Sequence, residues 1–179
     1  MERRRFLKRA VTLAVGLVVP SRVLWSETFL TVDQAKEILW GDEPLDPVAV
    51  TLTREQRKAI AAASKVRVRS ASLQAWKTPK GGWLLVDQVI GKHENIDLAI
   101  ALNPDGNVRG LEVLTYRETY GHEIRNPKWR AQFHGKGHTE HLKLDDQIQN
   151  ITGATLSCSH VTDGINRLTH TWNLVLRHL

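Results

Sequence analysis

The chain has 179 residues, of which 25 are Lys or Arg and 19 are Asp or Glu, so its formal net charge is +6. Cys158 is the only cysteine, which excludes an intrachain disulfide and a cysteine-rich zinc site. Six basic residues and one acidic residue lie in the first 26 positions, so the other 153 residues hold 19 basic and 18 acidic side chains. That near balance argues against a nucleic-acid partner, because such a partner needs a basic surface.

The first 26 residues have the layout of an export signal. Basic residues precede an apolar run over residues 10–19, which is too short to span a bilayer comfortably. Within this layout, residues 3–8 (RRRFLK) resemble the twin-arginine signal pattern, with Arg3 and Arg4 as the pair. We therefore predict a signal at residues 1–26, cleaved near Ser26 or retained as an anchor, and one exported domain at residues 27–179.

Two helices are predicted at the start of the exported domain. Residues 31–40 place their apolar side chains on one helical stripe, with Thr31 as the N-cap. The segment from Thr53 begins with a Thr-x-x-Gln capping box and continues with strong helix formers. Both helices are expected to pack against the core.

From Val66 onward the pattern takes the period of β-strands. Residues 66–76 alternate apolar and polar side chains, residues 81–91 are bounded by glycines, and residues 103–106 (NPDG) form the turn of a hairpin. A short helix is predicted near Pro127, and a final helix places Val161 and Ile165 on one face. The fold class is thus α+β, with an antiparallel sheet of about four strands flanked by helices.

Residues 150–160 (NITGATLSCSH) place small residues and hydroxyls directly before the final helix. The first turn of a helix has unpaired N–H groups and a partial positive charge, which stabilise a phosphate. Gly153 and Ala154 would leave the approach uncrowded, and the hydroxyls of Thr155 and Ser157 would lie beside those N–H groups. On spacing alone, an ordinary turn with a helix cap is the simpler interpretation.

Two motifs favour the phosphate interpretation. Residues 151–157 (ITGATLS) lie shortly after residues 116–136 (YRETYGHEIRNPKWRAQFHGK) in the chain. The first resembles the S/T-G-A-T-x-S/T segment of the FMN-binding domain family, and the second resembles its E-T-P-G and Q-F-x-G-K stretch. That family includes the flavin-carrying subunits of sodium-pumping NADH:quinone reductase and of Rnf-type complexes. The resemblance covers about residues 80–176.

The resemblance implies that FMN is the cofactor and that Thr155 carries it through a phosphoester bond. It also implies a partner, a flavin transferase that uses FAD as donor with a magnesium ion. The chain departs from the family pattern at Gln149, where Asp is usual, and at Tyr120, where Pro is usual. The further cofactor contacts that it implies are Thr152, Gly153, Ala154, Leu156, Ser157, Glu118, Thr119, Tyr120 and Lys136.

The sequence shows neither an acid–base pair nor a nucleophile with its own base, so the predicted function is electron transfer rather than self-sufficient catalysis. In such a protein the fold orients the flavin and tunes it, while the cofactor supplies the redox chemistry. The expected electron partners are membrane or periplasmic redox proteins. The expected location is the periplasm or the outer face of the cytoplasmic membrane.

A second hypothesis rests on His134, His138 and His141. Three imidazoles at this spacing would bind zinc, copper or nickel if the segment were helical, although Gly135 and Gly137 oppose a regular helix. The alternative function is therefore a periplasmic metal-binding or metal-delivery protein. A third possibility is a structural subunit that has lost its flavin.

Overall fold

The structure is a computed structural model that describes residues 27–91, 93–116 and 121–179. Six strands of the described chain form one antiparallel sheet in the order β1-β6-β5-β4-β3-β2. The strands are β1 (Glu27–Thr28), β2 (Asp46–Thr51), β3 (Ser72–Lys77), β4 (Trp83–Ile90), β5 (Asn95–Leu102) and β6 (Val108–Tyr116). The α-helices are α1 (Val32–Trp40), α2 (Arg54–Ser64), α3 (Pro127–Arg130) and α4 (Thr155–Leu174), and 3-10 turns occupy His122–Arg125, Ala131–Phe133 and Leu176–His178.

The predicted α+β class is confirmed, and the sheet has two more strands than the four expected. Strand β2 pairs with β3 along its whole length, from Asp46 opposite Lys77 to Thr51 opposite Ser72. Strand β1 pairs only Glu27 and Thr28 with the end of β6. Both strands depend on distant partners, so local periodicity gave no sign of them.

Helices α1 and α2 begin where their caps predict. Thr31 and Thr53 each form a complete capping box, in which the threonine and the glutamine three residues later bond to each other's backbone N–H groups. The donor–acceptor distances are 2.8 and 3.2 Å in the first box and 2.8 and 3.1 Å in the second. These local hydrogen bonds fix both helix starts without help from the sheet.

The sheet is covered on both faces, and alternate residues of each strand serve the two sides. On β5, Leu98 and Ile100 belong to the larger core cluster with α4, whereas Ala99 and Ala101 pack toward α1 in the smaller one. All four side chains are fully buried. Helix α4 therefore packs on the face of the sheet to which β5 contributes its larger side chains, and the N-terminus of α4 reaches the end of β6.

The predicted signal at residues 1–26 lies outside the described residues. Among the residues that the structure does describe, no helix has both the length and the apolar character needed to cross a membrane.

Candidate functional site

Helix α4 begins without a side-chain cap. Its N-cap residue is Ala154. Among the described residues, no side chain forms a capping hydrogen bond at this helix start. The helix is 20 residues long, so its backbone dipoles give this end a partial positive charge. Thr155 is the first helical residue and is exposed to solvent. The helix start therefore offers both a hydroxyl and backbone donors to an approaching anion.

The turn before α4 holds the Thr155 hydroxyl in place. The side-chain amide of Asn150 donates a hydrogen bond to Thr155 Oγ1 at 3.1 Å. The other end of that amide, Asn150 Oδ1, is buried and has no hydrogen-bond partner among the described residues. Gly153 has a φ of +89°, and a Cβ there would point into open space. The turn is thus closed on the Asn150 side and open on the Gly153 side.

The end of β6 is tied to the first turn of α4. Tyr116 and Ser157, both buried, share a hydrogen bond of 3.1 Å between their hydroxyls. Gly121, with a φ of +97°, passes so close that a Cβ would lie 2.3 Å from the Tyr116 hydroxyl and 3.1 Å from the Ala154 Cβ. The predicted cofactor contacts Glu118, Thr119 and Tyr120 lie outside the described residues. The residues that flank them, Tyr116 and Gly121, converge on the start of α4.

Position 149 is held through its backbone. The indole N–H of Trp129 donates to the Gln149 carbonyl at 2.7 Å, and the Gln132 side chain accepts from the Gln149 N–H at 2.7 Å. The same Gln132 side chain donates to the Trp129 carbonyl at 3.0 Å. The Gln149 side chain itself is exposed. The Trp129 side chain is buried, and its indole N–H braces this loop.

Of the other predicted contacts, Thr152, Gly153 and Leu156 are exposed around Thr155, whereas Ala154 and Ser157 are buried beneath it. The structure does not bring Lys136 to this turn. The Lys136 carbonyl accepts from the Val108 N–H, at the opposite end of β6 from Tyr116, and nine residues of strand span roughly 25 Å. Its ammonium pairs with Glu140 at 3.2 Å.

Two of the three histidines of the metal hypothesis, His134 and His138, have different surroundings. His134 is exposed and lines a cavity with Arg130, while His138 packs its ring 6.0 Å from the ring of Trp172. Gly135 has a φ of +75°, which breaks the helix that would have brought the imidazoles together. Across residues 27–91, 93–116 and 121–179, no group of three or more His, Cys, Asp or Glu side chains is arranged to hold a metal ion.

Residues 91–170 match the model of the FMN-binding domain family. The chain contains an FMN-binding domain. The matched stretch runs from β5 to the last turns of α4 and includes the whole turn around Thr155. FMN is accordingly the cofactor of this domain. No curated protein matches the chain.

The turn of the FMN-binding domain fits a phosphate. An uncapped helix start, an exposed hydroxyl and the Asn150 amide supply donors, and the glycine beside them leaves space. Burial raises the pKa of the Cys158 thiol, so this neighbouring side chain stays protonated and adds no negative charge. Asn150 was within the stretch singled out from the sequence, but its contact with Thr155 depends on how the turn folds and has no sequence signal.

Proposed function

We propose that the FMN-binding domain carries FMN covalently, through a phosphoester bond to Thr155 Oγ1, and works as an exported electron carrier. The observation that carries this proposal is an exposed threonine hydroxyl at the uncapped start of a 20-residue helix, inside the segment that matches the family. The resemblance of residues 151–157 to the family's attachment motif selects Thr155 among the nearby hydroxyls.

Attachment requires a partner enzyme, for which we propose a flavin transferase that uses FAD and magnesium. A bond forms between Thr155 Oγ1 and the phosphorus next to riboflavin, and the P–O bond that joins this phosphorus to AMP breaks. AMP is the leaving group, and the threonine proton passes to a base of the transferase. The exposed Thr155 and Gly153 leave room for that enzyme to reach the hydroxyl.

After attachment, the chain's own groups hold the phosphate. The backbone N–H groups of the first turn face it, and the helix dipole favours its negative charge by about 0.3–1 kcal/mol. The Asn150 amide lies within hydrogen-bond distance of the bridging oxygen. The buried Tyr116–Ser157 contact fixes the direction of the helix start. FMN supplies the redox chemistry once bound.

We base the proposed cellular role on the N-terminal pattern and on the resemblance of the FMN-binding motifs. The RRRFLK pattern at residues 3–8 supports export by the twin-arginine route. We propose that the domain works in the periplasm or at the outer face of the cytoplasmic membrane and passes electrons between redox proteins there. The resemblance of residues 116–136 and 151–157 to motifs of sodium-pumping and Rnf-type subunits supports our proposal of a membrane-associated electron pathway.

The test is to co-express the full chain with a flavin transferase and to measure intact mass and in-gel flavin fluorescence after denaturation. The wild type should gain one FMN and stay fluorescent, and Thr155→Val should do neither. Thr139→Val is the matched control, because it removes an exposed threonine hydroxyl outside the turn and should leave labelling unchanged. A wild type that stays unlabelled, or a Thr155→Val variant that is labelled normally, would contradict the proposal.

A further inference from the structure

A groove separate from the FMN turn runs beside the middle of α4. It contains two adjoining cavities of about 190 and 120 Å³, bounded by α4, the end of β4 and residues 66–73. Both cavities are lined by Arg69, Gln88 and Arg167, so they form one continuous feature, here called the α4 groove.

A buried arginine lies between the two cavities. Arg167 is 7% exposed, forms an ion pair with Asp87 on β4 and donates to the Arg67 carbonyl at 3.4 Å. A guanidinium has five N–H donors, and these two contacts do not use all of them. Because Asp87 and the Arg67 carbonyl hold its plane, Arg167 is preorganised to receive an anionic group.

The rim adds charge and the floor is apolar. Arg67 and Arg69 are exposed, and neither forms an ion pair with another described residue. Val89 and Gly164 are buried in the wall of the larger cavity. The smaller cavity is lined by Leu52, Leu73 and Leu168.

One acidic group faces the larger cavity. Burial raises the pKa of the Asp163 carboxyl, and the nearby His160, His141 and Arg167 partly offset that rise. A half-buried carboxyl with a raised pKa in a cavity is a candidate for a binding-site residue. A negative charge on Asp163 opposes any anion in the groove, so removing this charge should strengthen anion binding.

We propose that the α4 groove binds a small organic carboxylate with an apolar body about the size of benzoate. An apolar cavity of about 150 Å³ accommodates benzene, which matches the larger cavity in scale. The planar fork of an arginine suits a carboxylate, which it binds through two parallel hydrogen bonds. An inorganic anion would satisfy the arginines but would leave the apolar floor in contact with water.

The test is a titration of the isotope-labelled full chain with benzoate, followed by NMR shifts of the Gly164 and Thr171 amides. Benzoate should shift both amides in a saturable way. Benzamide, which lacks the charge, and acetate, which lacks the ring, should each bind at least about tenfold more weakly. Equal binding of benzamide or of acetate would overturn the proposed ligand class, and the absence of saturable shifts with benzoate would overturn the site.

Two variants with opposite expected signs complete the test. Arg69→Gln should weaken benzoate binding about threefold to tenfold, because it removes one charged donor at an exposed position. Asp163→Asn should strengthen binding, because it removes a like charge. Arg54→Gln, an equal change of charge on the exposed face of α2, should have no effect. Two variants that change affinity in the same direction would contradict the inference.

Discussion

The hydroxyl of Thr155 receives its hydrogen bond from residue 150 rather than from residue 149. The family pattern usually has Asp at the position of Gln149, where this chain has an uncharged side chain. In this chain the Gln149 backbone is held on both sides, by Trp129 and Gln132, while its side chain is exposed. Asn150 supplies the polar contact with Thr155 at 3.1 Å.

Replacing Asn150 should therefore slow flavin attachment. Without its amide the Thr155 side chain is free to rotate, and the loss of one hydrogen bond, about 0.5–1.5 kcal/mol, corresponds to a rate roughly two- to tenfold lower. The rate of flavin attachment to Asn150→Ala is measured as the increase of in-gel fluorescence with time of incubation with the transferase. Gln149→Ala is the control and should label at the wild-type rate. A slow Gln149→Ala and a normal Asn150→Ala would reverse the assignment.

Cys158 should be chemically inert in the folded protein. Its side chain is 0% exposed, and burial raises the pKa of the thiol, so both access and thiolate formation are limited. An aromatic disulfide reagent should react on the order of a hundredfold more slowly with the folded chain than with the chain in urea. Fast labelling of the folded protein would show that the start of α4 opens readily.

At the level of elements, α4 lies unusually close to β4 at Gly164. A Cβ built on Gly164 would lie 2.7 Å from Val89 Cγ1, well inside normal contact distance. Gly164 is buried and α4 is a long helix, where glycine normally costs about 1 kcal/mol relative to alanine. The glycine is therefore retained for close packing rather than for helix stability.

Gly164→Ala should lower the free energy of unfolding by about 1–2 kcal/mol, because overpacking outweighs the gain in helix propensity. In a Val89→Ala background the obstructing methyl is absent, and the same change should be neutral or stabilising. Urea denaturation of the two single variants and the double variant measures the coupling. Additive effects would show that the contact with Val89 is not what requires glycine.

The elements that could be predicted from the sequence are those with local signals. Thr31 and Thr53 predict helix starts because each forms its capping hydrogen bonds with a residue only three positions later in the sequence. The pairing of β2 with β3 and the contact of Tyr116 with Ser157, 41 residues apart, exist only after the chain has folded. The cofactor could be predicted from a sequence motif, whereas the hydrogen bonds that position Thr155 could not.

At the level of the whole molecule, one face of α4 gathers titratable side chains from distant parts of the chain. His160, Asp163 and His170 recur along this face, and His138 packs against His170 with 6.2 Å between ring centroids. The loop that bears His138 and His141 is held to α4 by Asn166, whose amide bonds to the N–H and the carbonyl of Leu142 at 3.0 and 2.9 Å. Two groups on this face, Asp163 and His170, have pKa values that burial shifts.

The pKa of His170 is lowered by burial first and then by the nearby His138 and His141. The unfolded chain thus binds a proton at His170 more readily than the folded chain does. The stabilisation linked to His170 is present above the ordinary histidine pKa and is lost as the pH falls through the lowered value. Asp163 acts in the opposite sense, because a raised carboxyl pKa stabilises at low pH and that contribution is lost as the pH rises.

Between pH 7.5 and pH 5, the wild type should consequently lose more free energy of unfolding than the His170→Gln variant. Urea midpoints at several pH values provide the comparison, and each variant is read as a difference from wild type so that common titrations cancel. His178→Gln, at an exposed site near the C-terminus, should follow the wild type. When the series is extended to pH 4, toward the ordinary carboxyl pKa, Asp163→Asn should make the loss on acidification steeper, because the carboxyl no longer offsets it. If His170→Gln parallels the wild type throughout, the α4 face does not couple protonation to folding.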